Sequence, residues 1–259
     1  MIMSVLTLDP VDLENRVKEM YREVAETPKG TFHFEMGRAL AERLGYSAAD
    51  LDKIPAGAVD SFAGVGYHFD LADLKSGEAV LDLGSGSGMD TFVASLYVKE
   101  EGQVVGVDMT DAQLAKSERL REAYGFQQVS YVAGNLKSLP FADEAFDVVI
   151  SNGVINLCDD KSRAFGEAAR VLRRGGRLAI SDIVTEVQLP ESIICNASLW
   201  AACIGGAMQQ DAYRAAVEMA GLSVKQYYDN PAYGFLSKSA GGASRKYQVK
   251  SISLLAEKV

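Results

Sequence analysis

Residues 81–90 read LDLGSGSGMD. An apolar run delivers Asp82, and the chain then turns through Gly84, Gly86 and Gly88 into a helix-compatible stretch. Closely spaced glycines let backbone N–H groups approach a ligand at a helix start. A second apolar run ends on Asp108, twenty residues after Gly88. An acid there holds ribose hydroxyls in nucleotide-binding α/β proteins. The dinucleotide fingerprint is GxGxxG; the spacing here is GxGxG, preceded by an acid. A glycine turn with no ligand would not account for both acids appearing with the glycines. A third place of interest is VISNGVINLC (149–158), where an apolar run stops at Ser151-Asn152-Gly153, meets Asn156 and ends on Cys158.

The elements that must carry these residues alternate. EAVLDL, QVVGVDM, SYVAG, FDVVISN and RLAISDIV read as buried strands. TDAQLAKSERLREAYG and DDKSRAFGEAARVLRRGG read as the helices between them, and GLSVKQYY and KYQVKSISLLA as two further strands. Alternating strand and helix patterns predict a parallel sheet with helices on both faces and right-handed crossovers. A ligand then sits beyond the carboxyl ends of the strands, so Ser151-Asn152-Gly153 should face whatever the glycine loop holds. Residues 1–75 read as a helical extension. VDLENRVKEMYREVAE forms one amphipathic helix, MGRALAERLGY a second stopped by Gly45, and SAADLDKI a third, capped by Ser47 and closed by Pro55 and Gly57. The remainder, 76–259, reads as one domain interrupted by an apolar lid at about 187–210.

The bulk properties narrow the function. The chain has 259 residues and a formal charge of −9. That balance argues against nucleic-acid binding, which needs clustered Lys and Arg, and against docking on an anionic membrane. No apolar run reaches the ~18–20 residues of a transmembrane helix. The opening MIMSVLTLDPVDLENR does not read as a signal peptide, so a cytoplasmic location is expected. Three cysteines without a CxxC pair imply neither a disulfide framework nor a typical zinc site.

The acid–GxGxG form resembles the S-adenosylmethionine (SAM) motif of class I methyltransferases. The resemblance implies a Rossmann-like α/β fold with a mostly parallel seven-stranded sheet, and SAM as cofactor. It makes Gly84, Ser85, Gly86 and Gly88 the saddle for the methionine end, with Asp82 beneath it. Asp108 would take the ribose diol and Met109 would pack on the adenine. Gly134, Asn135 and Leu136 would meet the adenine edge, Ser151 and Asn152 would face the donor, and Tyr21 would help close over it. For Asn135 an ordinary turn asparagine remains the alternative, and for Tyr21 a core-facing helix position.

LGYSAADLDKIPAGA, SNGVINLCDDK, ARVLRRGGRLAISDIV and AACIGGA, together with the glycine loop, are similar to bacterial arsenite methyltransferases over roughly residues 10–225. That family usually has Gly-Cys-Gly where this chain has Gly64-Val65-Gly66, and Ser-Asn-Cys where it has Ser151-Asn152-Gly153. Only Cys203 matches the third arsenic-binding cysteine. Cys195 and Cys203 are ~12 Å apart along a helix, too far to share one atom. The expectation is therefore SAM-dependent methyl transfer to a small-molecule acceptor, with a thiol or other soft nucleophile favoured. Arsenite held by Cys203, or an oxygen, nitrogen or carbon centre on a larger metabolite, are the alternatives. A hard acceptor needs a base. His68 is the candidate, with a partly buried, hydrogen-bonded histidine as the other account. Tyr67, Asn156, Trp200 and Cys203 complete the expected acceptor pocket, and Cys158 and Cys195 read as structural thiols.

Overall fold

A computed structural model describes residues 9–190, 193, 205–235 and 246–259. The apolar runs form a sheet in the spatial order β3-β2-β1-β4-β5-β8-β7. Its strands are β1 (Ala79–Leu83), β2 (Gln103–Asp108), β3 (Val129–Ala133), β4 (Phe146–Asn152), β5 (Leu172–Thr185), β7 (Leu222–Asp229) and β8 (Val249–Lys258). A two-residue strand, β6 (Met208–Gln209), pairs with the end of β5. Strands β1 to β5 run parallel, and β8 is antiparallel to both its neighbours. Their near-continuous Val, Ile and Leu content follows from burial on both faces. The chain winds one way from β1 to β3 and the other way from β4, so the order reverses between β1 and β4. The crevice at that switch point is where an open α/β sheet binds ligands.

Helices α6 (Met89–Val98), α7 (Asp111–Tyr124), α8 (Lys161–Val171) and α9 (Gln210–Met219) cover the sheet. Five helices precede it: α1 (Pro10–Glu26), α2 (Arg38–Leu44), α3 (Ala48–Leu51), α4 (Ala56–Asp60) and α5 (Phe69–Ala72). Asp9 caps α1 by accepting the Val11 N–H at 2.9 Å, and Gly45 ends α2 in the left-handed region. Leu40, Leu51 and Phe62 of this segment share one buried cluster with Val80 and Ile150 of the sheet.

Two boundaries differ from the sequence reading. The helix expected through Arg173-Arg174-Gly175-Gly176 stops at Val171, and those residues begin β5, where Phe146 pairs with Leu172 before the register shifts. Pro55 opens α4 rather than closing α3, because its extended backbone serves as the N-cap and Gly57 lies inside the helix. Ser47 stands at the N-cap of α3 without a side-chain capping bond. Most of the lid expected at 187–210, including Cys195, Trp200 and Cys203, lies outside the described residues.

Candidate functional site

The end of β1 and the start of α6 are tied to β2 by one carbonyl. Val107 O accepts the N–H groups of Gly84 (2.8 Å) and Ser85 (3.0 Å). Gly84 has φ +68, and a Cβ built on it would run into the Val154 side chain. Glycine is required there both by conformation and by space. Asp108, at the end of β2, accepts the Gly86 N–H at 2.9 Å and the Thr110 N–H at 2.8 Å, one on each carboxylate oxygen. Both oxygens are thereby fixed at the cleft wall, where carboxylate acceptors suit a diol. Burial raises the Asp108 pKa, and the backbone donors pull it back.

Around this cradle lies a cleft of about 1160 Å³, mouth included. Of the donor-site candidates, Asp82, Gly84, Ser85, Gly86, Asp108, Met109, Gly134, Asn135, Leu136, Asn152 and Tyr21 line it. Helix α1 forms the far wall through Leu13, Glu14, Val17 and Tyr21. Two side chains latch that helix down. Gln113 donates to Tyr21 O at 2.8 Å while accepting from the Ser87 hydroxyl of the glycine loop at 2.5 Å. Asn135 donates to Glu14 at 3.2 Å and accepts the Lys137 N–H at 3.0 Å.

Two donor-site candidates are not in the wall. Gly88 stands behind it as the N-cap of α6. Ser151 turns its hydroxyl to Leu83 O at 3.1 Å, so it fastens β4 to β1 instead of meeting a ligand. Asn152, one residue on, is the junction of the site. Its Oδ1 accepts the Val65 N–H (2.8 Å) and the Gly66 N–H (3.3 Å). Its Nδ2 reaches Gly66 O, the Tyr46 hydroxyl and Asp90 Oδ2, each at 3.0 Å. Segment 65–67 is gripped from the other side by Ser251, which donates to Val65 O at 2.6 Å.

Sequence reasoning assigned no role to Asp90 or Tyr46, although Asp90 lies within LDLGSGSGMD. The Tyr46 hydroxyl donates to Asp90 Oδ1 at 2.6 Å. Asp82 and Asp90 both line the cleft and are 2% and 6% exposed. Burial raises both pKa values, Asp90 to about 6, and the Asp90 charge adds to the rise at Asp82. An acid in the first turn of the helix after a glycine loop was the available signal for Asp90. Nothing local marks Tyr46.

The acceptor candidates do not come together. His68 is fully buried away from the cleft, with neither ring nitrogen hydrogen-bonded among the described residues; desolvation pushes its pKa down to about 3. That position does not serve a base acting in the cleft. Tyr67 faces a separate depression with Phe69 and Tyr97, and burial raises its pKa. Asn156 is buried outside the cleft lining, and its backbone hydrogen bond lowers the pKa of Asp182. Trp200 and Cys203 lie outside the described residues. Cys158, read as structural, does line the cleft; burial pushes its thiol up to about 12. Val65 and Gly153 are neighbours: a Cβ on Gly153 would stand 3.1 Å from Val65 Cγ1.

Residues 74–221 match the model of a methyltransferase domain family. Over 228 residues the chain is 36% identical to the arsenite methyltransferase of Halobacterium salinarum, covering 83% of this chain and 58% of that protein. Over 138 residues it is 45% identical to the arsenite methyltransferase of Homo sapiens, covering 50% of this chain and 37% of that protein. The chain thus spans little more than half the length of the first relative and about a third of the second. Among solved structures it is similar to CrArsM, an arsenic (III) S-adenosylmethionine methyltransferase from Chlamydomonas reinhardtii, with a TM-score of 0.63 and 28% identity over 86% of this chain and 73% of that one. Among the described residues, no helix is long and apolar enough to cross a membrane. The matched segment carries the glycine cradle and both strand-end acids, and the chain belongs to the methyltransferase domain family.

Proposed function

We propose that this protein transfers the methyl group of SAM to a small-molecule soft nucleophile, with a thiol as the leading case. The observation that carries the donor half is Asp108, braced by the Gly86 and Thr110 N–H groups at the mouth of the glycine cradle. SAM supplies an electrophilic methyl group on a sulfonium. Asp108 would hold the ribose diol, Met109 and Leu136 the adenine faces, and Asn152 the alignment of the 64–66 segment against the donor. Methyl transfer is an in-line displacement, so the protein's work is alignment and exclusion of water.

The acceptor half rests on Val65 and Gly153. They are neighbours, next in sequence to Gly64 and Asn152 of the cleft wall, and neither place carries a thiol. Arsenite is the second reading, favoured by the similarity to arsenite methyltransferases, and it depends on Cys203.

The test is a turnover screen that follows S-adenosylhomocysteine formation across thiols, sulfide, selenite, arsenite and phenols. Turnover with thiols or sulfide is expected. Asp108→Ala should lose it, with SAM affinity down by roughly ten- to a hundredfold, as for loss of hydrogen bonds to a charged group. Turnover with arsenite alone, lost in Cys203→Ser, would replace the thiol reading with the arsenite one. Calorimetry showing NADH binding and no SAM binding would sink both.

A further inference from the structure

The cleft holds more negative charge than its walls neutralise. Glu14 is met by Lys18 at 2.7 Å and Asp159 by Lys137 at 2.7 Å. Asp82 and Asp90 have no such partner. Thr91 donates to Asp82 at 2.6 Å; Tyr46 and Asn152 donate to Asp90. Among the described residues, no Lys, Arg or His contacts either carboxylate. The groups that face them are neutral or acidic: Tyr46 from the loop after α2, Asn152 from β4, Thr91 from α6, and Asp108 from β2, whose charge also reaches Asp82. Two buried carboxylates that repel each other without a cation are held at a cost, relieved by a proton or by a cation from outside. Ser85, in the same wall, keeps a buried hydroxyl without a partner. The methionine end of SAM carries two cationic centres, the sulfonium and the ammonium.

We infer that Asp90, steered by Tyr46 and Asn152, binds the positive charge of the donor's methionine end, and that the cleft selects its ligand by that charge. This rests on the SAM reading of the cleft. The arrangement also ties charge recognition to the acceptor side. The amide of Asn152 that reaches Asp90 belongs to the side chain that accepts the N–H groups of Val65 and Gly66. A cation settled on Asp90 therefore acts on the residue that fixes the acceptor segment.

Calorimetry on the full chain tests it with three ligands: SAM, 5′-methylthioadenosine, which lacks the charged methionine end, and decarboxylated SAM, which keeps both cations and loses only the carboxylate. Asp90→Asn should weaken SAM by roughly tenfold or more while changing 5′-methylthioadenosine by less than about threefold. The wild-type protein, needing no variant to fold, should bind decarboxylated SAM within about threefold of SAM. Equal effects of Asp90→Asn on SAM and 5′-methylthioadenosine, or no effect on either, would overturn the inference. So would a wild-type protein that binds SAM but rejects its decarboxylated form. If the wild type binds none of the three, the donor reading itself falls and takes this inference with it.

Discussion

Asp90 and Asp182 are near-copies in different settings. Each is buried, each accepts a tyrosine hydroxyl (from Tyr46 at 2.6 Å and Tyr213 at 2.7 Å), and burial lifts each to a pKa of about 6. The difference is in their neighbours. Asp182 has the positive charge of Lys161 within electrostatic reach and takes N–H groups from Ile183 and Asn156. It sits outside the cleft lining, beneath the turn that carries Asn156. Asp90 opens on the cleft with another carboxylate as its charged neighbour. The same side chain thus serves as a satisfied internal brace in one place and as an unsettled charge facing a cavity in the other. What separates the two positions is the counter-charge, which Lys161 gives Asp182 and no described residue gives Asp90, not burial or proton affinity.

The largest expected effect tests the brace. Asp182→Ala leaves the Tyr213 hydroxyl unanswered and removes the counter-charge of Lys161. It should cost about 3–5 kcal/mol in urea unfolding, from lost hydrogen bonds to a charged group and buried donors left unanswered. Asp90→Ala should cost only about 1–2 kcal/mol, because it also relieves Asp82. Equal losses would erase the distinction.

His68 is the extreme case, a buried titratable group whose ring nitrogens have no hydrogen-bond partner among the described residues. Its folded pKa of about 3 lies below the unfolded value of about 6.5. Its contribution is fully present above pH ~6.5 and declines by ~1.4 kcal/mol per unit as pH falls toward ~3. At pH 5 that amounts to about 2 kcal/mol, and His68→Leu should abolish the decline. The raised carboxylates act in the opposite sense, adding stability as pH falls below about 6. Urea midpoints of the two proteins from pH 7 to pH 4 check this; parallel curves would mean that His68 gains a partner.

A smaller effect concerns the cleft. SAM affinity should fall about tenfold between pH 7.5 and pH 5, as Asp90 takes up a proton, and Asp90→Asn should flatten that dependence. A pH profile unchanged by the substitution would move the titration to another group.

The donor half was legible because its parts are local. Acid, glycines and second acid stand at fixed distances along strands and loops, and the alternation of elements dictates which strand ends meet. The junction around Asn152 and Asp90 was not, because its geometry is assembled from remote pieces. Asn152 meets Val65 across 87 residues of sequence, and Tyr46 meets Asp90 across 44. His68 shows the same limit from the other side. VGYHFD is compatible with a cleft or with a core, and only the packing of the segment between Asn152 and the β8 serines puts the imidazole in the core. The Leu172–Gly176 stretch was misassigned because Arg-rich sequence after a helix reads as its last turn, whereas pairing with Phe146 draws it into the sheet.

The contact between Val65 and Gly153 also constrains how these two positions can change over generations. Gly153 has φ +71, a conformation that costs a side-chain-bearing residue roughly 1–2 kcal/mol. Any Cβ there would also press on Val65 at 3.1 Å. A thiol at 153 is therefore penalised twice while valine stands at 65, and less once 65 carries a slimmer residue. The order of substitutions matters: the step at 65 opens the step at 153, while the reverse order passes through a strained intermediate. The glycine thus makes a thiol at 153 harder to gain than to lose.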